Sequence, residues 1–310
     1  MTQVTSKKKD NAFRRLLRTD EFSVFIPLLA IIIITTIFRP DFLTVANFSA
    51  MFTQIPFIAI VALGSSFTLM TGNVDISTGR VAGFAGIMVS MLCVDHGWSA
   101  LPAILVAIVC CCVIGLFNGF LVVKMGVPDF VATMGTLYMV GGARYLFIKG
   151  YQLSLNTLEG FTLTEVFNQR YLGMPPHFWV MLVLFAIVFV IIKKSLWGRR
   201  LLACGDNREV ALLAGIGGIL LTLDVGIGLP ETGDGWEFRA IAGCVVGGVS
   251  LSGGKGSPLG ILIGITLVFV AENAIIFLGM PTTMRVAIQG ALMAAAVLFD
   301  IYRQSRKVPA

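Results

Sequence analysis

Two places in this chain put ionisable groups where an ordinary apolar sequence has none. The first is Gly72-Asn73-Val74-Asp75-Ile76-Ser77-Thr78-Gly79-Arg80, which sets helix breakers, a carboxylate, an amide and hydroxyls between two apolar stretches. The second is Glu272-Asn273, well inside the apolar run 259–279. A carboxylate at membrane depth is costly unless it faces protein or water, so both places are candidates for a translocation path or a proton carrier. Read by composition alone, the first is also a plain hydrophilic turn at a bilayer surface. Asn118 joins the path candidates near the inner end of another run, whereas Arg144 lies a turn before an outer end, where a snorkelling side chain explains it. No nucleophile, base and orienting group can be assembled into a triad, so the chain does not read as an enzyme.

Other chemistry fails on spacing. Cys110, Cys111 and Cys112 are consecutive in an apolar run and point around a helix in steps of about 100°, so they cannot converge on one metal. Cys93, Cys204 and Cys244 are isolated, and the two histidines, His96 and His177, are far apart. Core packing accounts for all six cysteines. Leu251-Ser252-Gly253-Gly254-Lys255 looks like the signature of ATP-binding-cassette ATPases, but no G-x-x-x-x-G-K-[ST] accompanies it. Val249 stands five before Gly254, and Gly256 follows Lys255. The stretch reads as a glycine-rich turn, and no nucleotide, metal or other cofactor is expected on this chain.

These residues must be carried by helices. At 56% hydrophobic and 13% charged residues, with a mean hydropathy of +0.89, the chain departs from soluble composition and reads as an all-α, polytopic membrane bundle. The net charge of +6 does not indicate nucleic acid, because the basic residues sit at span ends. Residues 1–21 form a basic arm expected inside, 22–302 the transmembrane region, and 303–310 a basic tail, also inside. The first apolar run follows a long charged tail and lacks a small-residue site after it, so no cleavable signal is expected. Apolar runs cover 22–38, 50–71, 79–94, 100–123, 127–148, 177–192, 211–223, 238–249, 259–279 and 285–302.

One polar segment, 193–215, lies between membrane-grade runs. Its Lys193, Lys194, Arg199, Arg200 and Arg208 outweigh two acids and place it in the cytoplasm. Asp206 can cap a short helix, Glu209 supports its first turn and Gly215 is a natural stop. The expectation is a two-turn surface helix over 207–214, either a docking element for a soluble partner or an ordinary amphipathic connector. Segment 224–237, with four acids and no Lys or Arg, belongs outside. The crossing between them, 211–223, rises only about 20 Å against a hydrocarbon core of about 30 Å. The membrane thins there, the loop 224–237 dips inward, or a span is missing. Glycines at 79, 83 and 86 and at 256, 260 and 264 suit close helix packing, and pair 75–87 with 250–265 as parts of two internal repeats.

As a set, TGNVDISTGRVAG (71–83), NGFLVVKMGVPDFVATMGTLYMVGGAR (118–144), LWGRRLLACGDNREVALLAGI (196–216) and GDGWEFRAIAGCVVGGVSLSGGKGSPLG (233–260) resemble the permease subunits of the ribose/xylose/arabinose class of bacterial ABC sugar importers. The resemblance implies an inner-membrane permease dimer of two such chains, a cytoplasmic ATPase that holds ATP and Mg, and a periplasmic sugar-binding protein. It implies that Gly205, Asp206, Asn207, Arg208, Glu209 and Gly215, with Arg199 and Arg200, couple to the ATPase. It implies that Asn73, Asp75 and Ser77 border the path. The chain departs from the pattern after Ile216, where about twenty residues, roughly one span, are absent, and at Glu272, where an amide is expected. The alternatives are a proton-coupled secondary transporter using Asp75 or Glu272, and an internally deleted permease that does not transport.

Overall fold

The computed structural model describes residues 20–148, 152–158, 162–194, 208–281 and 283–305. The N-terminal arm and the last five residues of the tail lie outside this set. Among the described residues the chain forms eleven α-helices, ten of them long. They are α1 (Asp20–Phe38), α2 (Val45–Met70), α3 (Thr78–Val94), α4 (Ala100–Gly119), α5 (Asp129–Ile148), the six-residue α6 (Leu163–Asn168), α7 (Pro176–Lys194), α8 (Arg208–Val225), α9 (Trp236–Val246), α10 (Pro258–Phe277) and α11 (Met284–Ser305). Three stretches are long and apolar enough to cross a membrane by length and composition: 45–70, 100–124 and 258–277. The second of these ends in a π-helical turn, Phe120–Lys124.

The core is built on α2. Thr44 caps its start, its hydroxyl oxygen accepting from the Asn47 N–H at 3.3 Å, and every residue from Ile55 to Met70 is buried. α8 packs into the groove between α2, α3 and α4. Glycines make that approach possible: a Cβ on Gly218 would overlap the Ala82 carbonyl, one on Gly217 would stand 2.9 Å from the Phe57 carbonyl, and one on Gly215 2.8 Å from Cys111 Sγ. Val210 and Leu213 meet α2 at Gly64, whereas Gly217 meets it at Phe57, so α8 runs antiparallel to α2. The same reasoning, Gly218 on Ala82 and Thr222 on Gly86, makes it parallel to α3.

This corrects two expectations with one cause. Of the two-turn surface helix expected over 207–214, the described residues 208–214 are the first half of α8, and Gly215 is a packing position rather than a stop. Val210, Ala211, Leu213 and Ala214 are all buried; apolar burial and the need to keep backbone groups hydrogen-bonded outweigh the local stop signal. By absorbing that segment the crossing becomes 18 residues, a rise of about 27 Å, close to the hydrocarbon thickness.

Beyond α8 the chain also dips inward. β2 (Ile227–Gly228) pairs antiparallel with β1 (Leu153–Ser154), tying segments 152–158 and 226–235 to one side. The other side carries the glycine-rich turn, where the Gly254 N–H donates to the Met70 carbonyl at 2.7 Å. From β2 the loop returns to α3, and Cβ atoms on Gly79 and Gly83 would overlap the carbonyls of Gly233 and Thr232. Arg144 holds it there, donating to Thr232 O at 2.6 Å and to Asp234 Oδ1 at 2.7 Å. Arg80 reaches the same carboxylate oxygen at 2.5 Å. Arg144 is fully buried; snorkelling does not describe it, because its partner arrives from a loop ninety residues away.

The architecture repeats with inverted direction. α2, a break over 71–77, α3, α4 and α5 correspond to α8, a break over 226–235, α9, α10 and α11. Asp75 precedes Arg80 as Asp234 precedes Arg239. The counterpart of 75–87 is therefore the break entering α9, not 250–265, which is a turn running into a full helix. Gly260 and Gly264 instead admit α9, where added Cβ atoms would overlap the Gly247 and Gly243 carbonyls.

Gly218→Ala is expected to destabilise the purified protein by about 1–3 kcal/mol through overpacking. Gly142→Ala, whose Cβ meets nothing within 4 Å, is expected to be neutral or to stabilise by up to about 1 kcal/mol. Thermal unfolding in one detergent checks both. In the same assay Arg144→Met is expected to cost about 3 kcal/mol, since it leaves Asp234 and the Thr232 carbonyl without their buried partner.

Candidate functional site

The first break brings three of the expected residues into one buried knot. Asp75 Oδ1 accepts from the Ser77 N–H at 2.8 Å and from the Ser77 hydroxyl at 2.6 Å. Asn118, from α4, donates through Nδ2 to Ser77 Oγ at 3.1 Å, and its Oδ1 accepts from the Thr136 hydroxyl of α5. Asp75, Ser77, Asn118 and Thr136 are each at most 3% exposed. α5 holds the backbone of the same segment: Asp129 Oδ2 accepts from the Val74 N–H at 2.5 Å, and Thr133 Oγ1 from the Ile76 N–H at 3.4 Å. Asn73 stays apart and donates to Thr71 Oγ1 at 3.3 Å.

The chemistry of this knot is positional. A break in a helix at depth exposes N–H groups that lipid cannot satisfy, and here side chains of α4 and α5 satisfy them. Residues 75–79 are buried, whereas Gly72 is exposed and Asn73 and Val74 are half-buried, so a plain surface turn describes only the start of the segment. Thr133, Thr136 and Asp129 were not singled out from the sequence; two threonines three apart on a helix facing a break are the only signal, and it is a common one.

Glu272 and Asn273 belong to a second cluster on the other repeat. Glu272 is buried, its Oε1 accepting from Gln289 Nε2 of α11 at 2.9 Å and lying 3.2 Å from Arg239 Nε of α9. Asn273 donates through Nδ2 to Asn47 Oδ1 at 2.7 Å and to Met51 Sδ at 3.1 Å. Glu272, Asn273, Arg239, Asn47 and Gln54 line one open cavity of about 90 Å³. A charged pair and amides gathered around one opening suit contact with water or protein rather than with lipid. Arg239, Gln289 and Gln54 escaped the sequence reading because nothing local couples them to Glu272.

The coupling residues separate differently. Arg199, Arg200, Gly205, Asp206 and Asn207 lie outside the described residues. Arg208 and Glu209 open α8, and Gly215 lies within it. The residues expected on a path therefore form two clusters, one per repeat, with Asn73 apart from the first, and α8 runs from the polar segment past the first. Among the described residues no group of His, Cys, Asp and Glu could hold a metal. Cys93, Cys111 and Cys244 are buried and free.

The family described as branched-chain amino acid transport system / permease component matches residues 47–212 and 209–297. The two pieces share 209–212, so one short stretch at the start of α8 answers to two places in the family. Curated relatives match along nearly their whole length. The ribose import permease protein RbsC of Bacillus subtilis is 30% identical, with 89% of this chain and 91% of the relative aligned. The L-arabinose ABC transporter permease protein AraH of Azospirillum brasilense is 28% identical over 92% and 87%. The galactose/methyl galactoside import permease protein MglC of Escherichia coli is 29% identical over 93% and 96%. The alignment with the ribose permease runs over 297 positions yet takes in 89% of these 310 residues, so about twenty of its positions have no residue here. No solved structure matches the chain. A matched family model over most of its length, with inverted repeats of apolar helices, makes this chain a member of that permease-component family of ABC importers, a multi-pass inner-membrane protein.

Proposed function

We propose that the chain is the membrane-spanning subunit of an ABC importer that carries a monosaccharide or similar small polar solute into the cytoplasm. Family membership supplies the class, and the observation that carries the reading is the polar cavity lined by Arg239, Glu272 and Asn273. ATP and Mg belong to a separate cytoplasmic ATPase, and a periplasmic binding protein delivers the solute. Two copies of the chain form the pore, with both termini of each in the cytoplasm.

Movement enters through 193–207. With Arg208–Gly215 built into α8, force on Arg199, Arg200 and the residues up to Asn207 is delivered along a rigid helix rather than through a separate docking helix. α8 ends at β2 and at the loop that Arg80 and Arg144 hold by Asp234. Axial motion of α8 thus bears on the second break, and on Arg239 five residues beyond Asp234. A proton-coupled mechanism finds less support: Asp75 is committed to Ser77, and Glu272 to Arg239 and Gln289.

One observation favours a second reading, an internally deleted permease that folds without transporting: the family match restarts at 209–212, inside the segment that α8 has drawn into the core. Reconstitution with the ATPase and binding protein separates the two. Binding-protein-stimulated ATP turnover is expected from the chain as it stands. Combined reversal of Arg199, Arg200 and Arg208 to Glu is expected to lower it at least tenfold, and unchanged turnover would remove the coupling role. Turnover that is absent, and appears only when an apolar segment of about twenty residues, one span, is inserted after Ile216, would establish the deleted permease instead.

A further inference from the structure

Just before α7 the chain folds back on itself. The Tyr171 N–H donates to the Met174 carbonyl at 2.8 Å and the Met174 N–H to the Tyr171 carbonyl at 3.1 Å, closing a two-residue hairpin loop on Leu172 and Gly173. Both loop residues have positive φ, 52° and 81°, the pattern of a type I′ turn, in which asparagine followed by glycine fits without strain. Leucine fits it poorly, because its bulk disfavours the left-handed region. Leu172 is the only residue other than glycine found there among the described residues. It gains no packing within the chain in return, being 91% exposed, more than any other large apolar side chain among the described residues. A backbone held in a costly conformation to present an apolar side chain outward points to a partner outside the chain.

The depth of the hairpin indicates the chemistry of that partner. α7 has 19 residues, about 28 Å at 1.5 Å per residue, close to the hydrocarbon thickness of about 30 Å. Its first residue, Pro176, comes two positions after Met174, so the hairpin stands at the edge of the acyl region. α2 gives the same level independently. Arg170 Nη1 donates to Ser49 Oγ at 2.6 Å, and His177 Nε2 to the Thr53 carbonyl at 2.9 Å. These bonds set the hairpin beside the first turns of α2, a 26-residue helix about 39 Å long whose end turns reach past the hydrocarbon. The side chains around Leu172 are those that favour a membrane boundary. Tyr171 is exposed, and Trp179 donates its indole N–H to the Tyr171 carbonyl at 3.1 Å, strapping the hairpin to the start of α7.

We propose that the 171–174 hairpin is a lipid anchor: Leu172 enters the acyl edge of the leaflet in which α7 begins, with Tyr171 and Trp179 at headgroup level, and the hairpin sets how deep α7 sits. Power-saturation spin-label spectroscopy tests it on the full-length chain, with the six native cysteines replaced, in vesicles of phosphatidylethanolamine and phosphatidylglycerol. A nitroxide on Leu172→Cys is expected to collide more with oxygen than with a water-soluble nickel chelate, as is one on Leu105→Cys, exposed on the apolar α4. A label at 172 reached mainly by the nickel chelate would place the tip in water, and one shielded from both reagents would place it under protein; either result overturns the anchor. With the label moved to Met174→Cys, adding Leu172→Asn, which suits the turn but not the acyl edge, is expected to raise nickel accessibility at least threefold, whereas adding Leu172→Met leaves it unchanged. Accessibility at 174 that does not respond to Leu172→Asn would also overturn the proposal.

Discussion

Backbone contact between α8 and its three neighbours is the constraint on which the rest of the structure depends. Gly217 and Gly218 let α8 lie against α2 and α3 at distances that no side chain would permit. In lipid, helix association draws little from hydrophobicity and much from such close packing. Once α8 is seated there, its start is inside the bundle and its end is at β2. The loop that follows can then reach only the first half of α3, where Gly79 and Gly83 leave room for it. Asp234 arrives between Arg80 and Arg144, and the second repeat is set against the first.

Each repeat handles its break with polar groups, but differently. The first encloses Asp75, Ser77, Asn118 and Thr136 in a knot in which each side chain has a partner. Such a knot fixes where α3 begins and resists movement, since removing one member leaves the others unsatisfied at depth. The second has its charged pair at the edge of an opening, with Asn273 bonded to Asn47 and Met51 beside it. The inverted relation puts the rigid break and the open one on opposite repeats, with α8 touching the first and leading into the second.

Much of this was legible from residues. Ten apolar runs became ten helices because twenty or so apolar residues in lipid have few alternatives to a helix. The break at Asn73–Ser77 and the depth of Glu272 were visible because charge within an apolar run is conspicuous. What could not be read locally was competition between levels. Asp206, Glu209 and Gly215 spell a short capped helix, yet Val210, Leu213 and Ala214 find a groove in α2 and α3, and the helix continues through the glycine. Arg144 looked terminal because its neighbours in sequence are terminal. Asp234, its partner, is brought by a loop whose inward course depends on α8 being seated first. Glu272 was found and its companions Arg239 and Gln289 were not, for the same reason: they come from other helices.

The central claim is that 208–214 is the inner half of a buried span rather than a helix on the cytoplasmic surface. Single cysteines at Val210 and at Ser195, in a background with the six native cysteines replaced, test it by reaction with a membrane-impermeant maleimide from each side of a vesicle. The account predicts that Ser195→Cys reacts from the cytoplasmic side only and that Val210→Cys reacts from neither until the protein is denatured. Rapid labelling of Val210→Cys from the cytoplasmic side would contradict it.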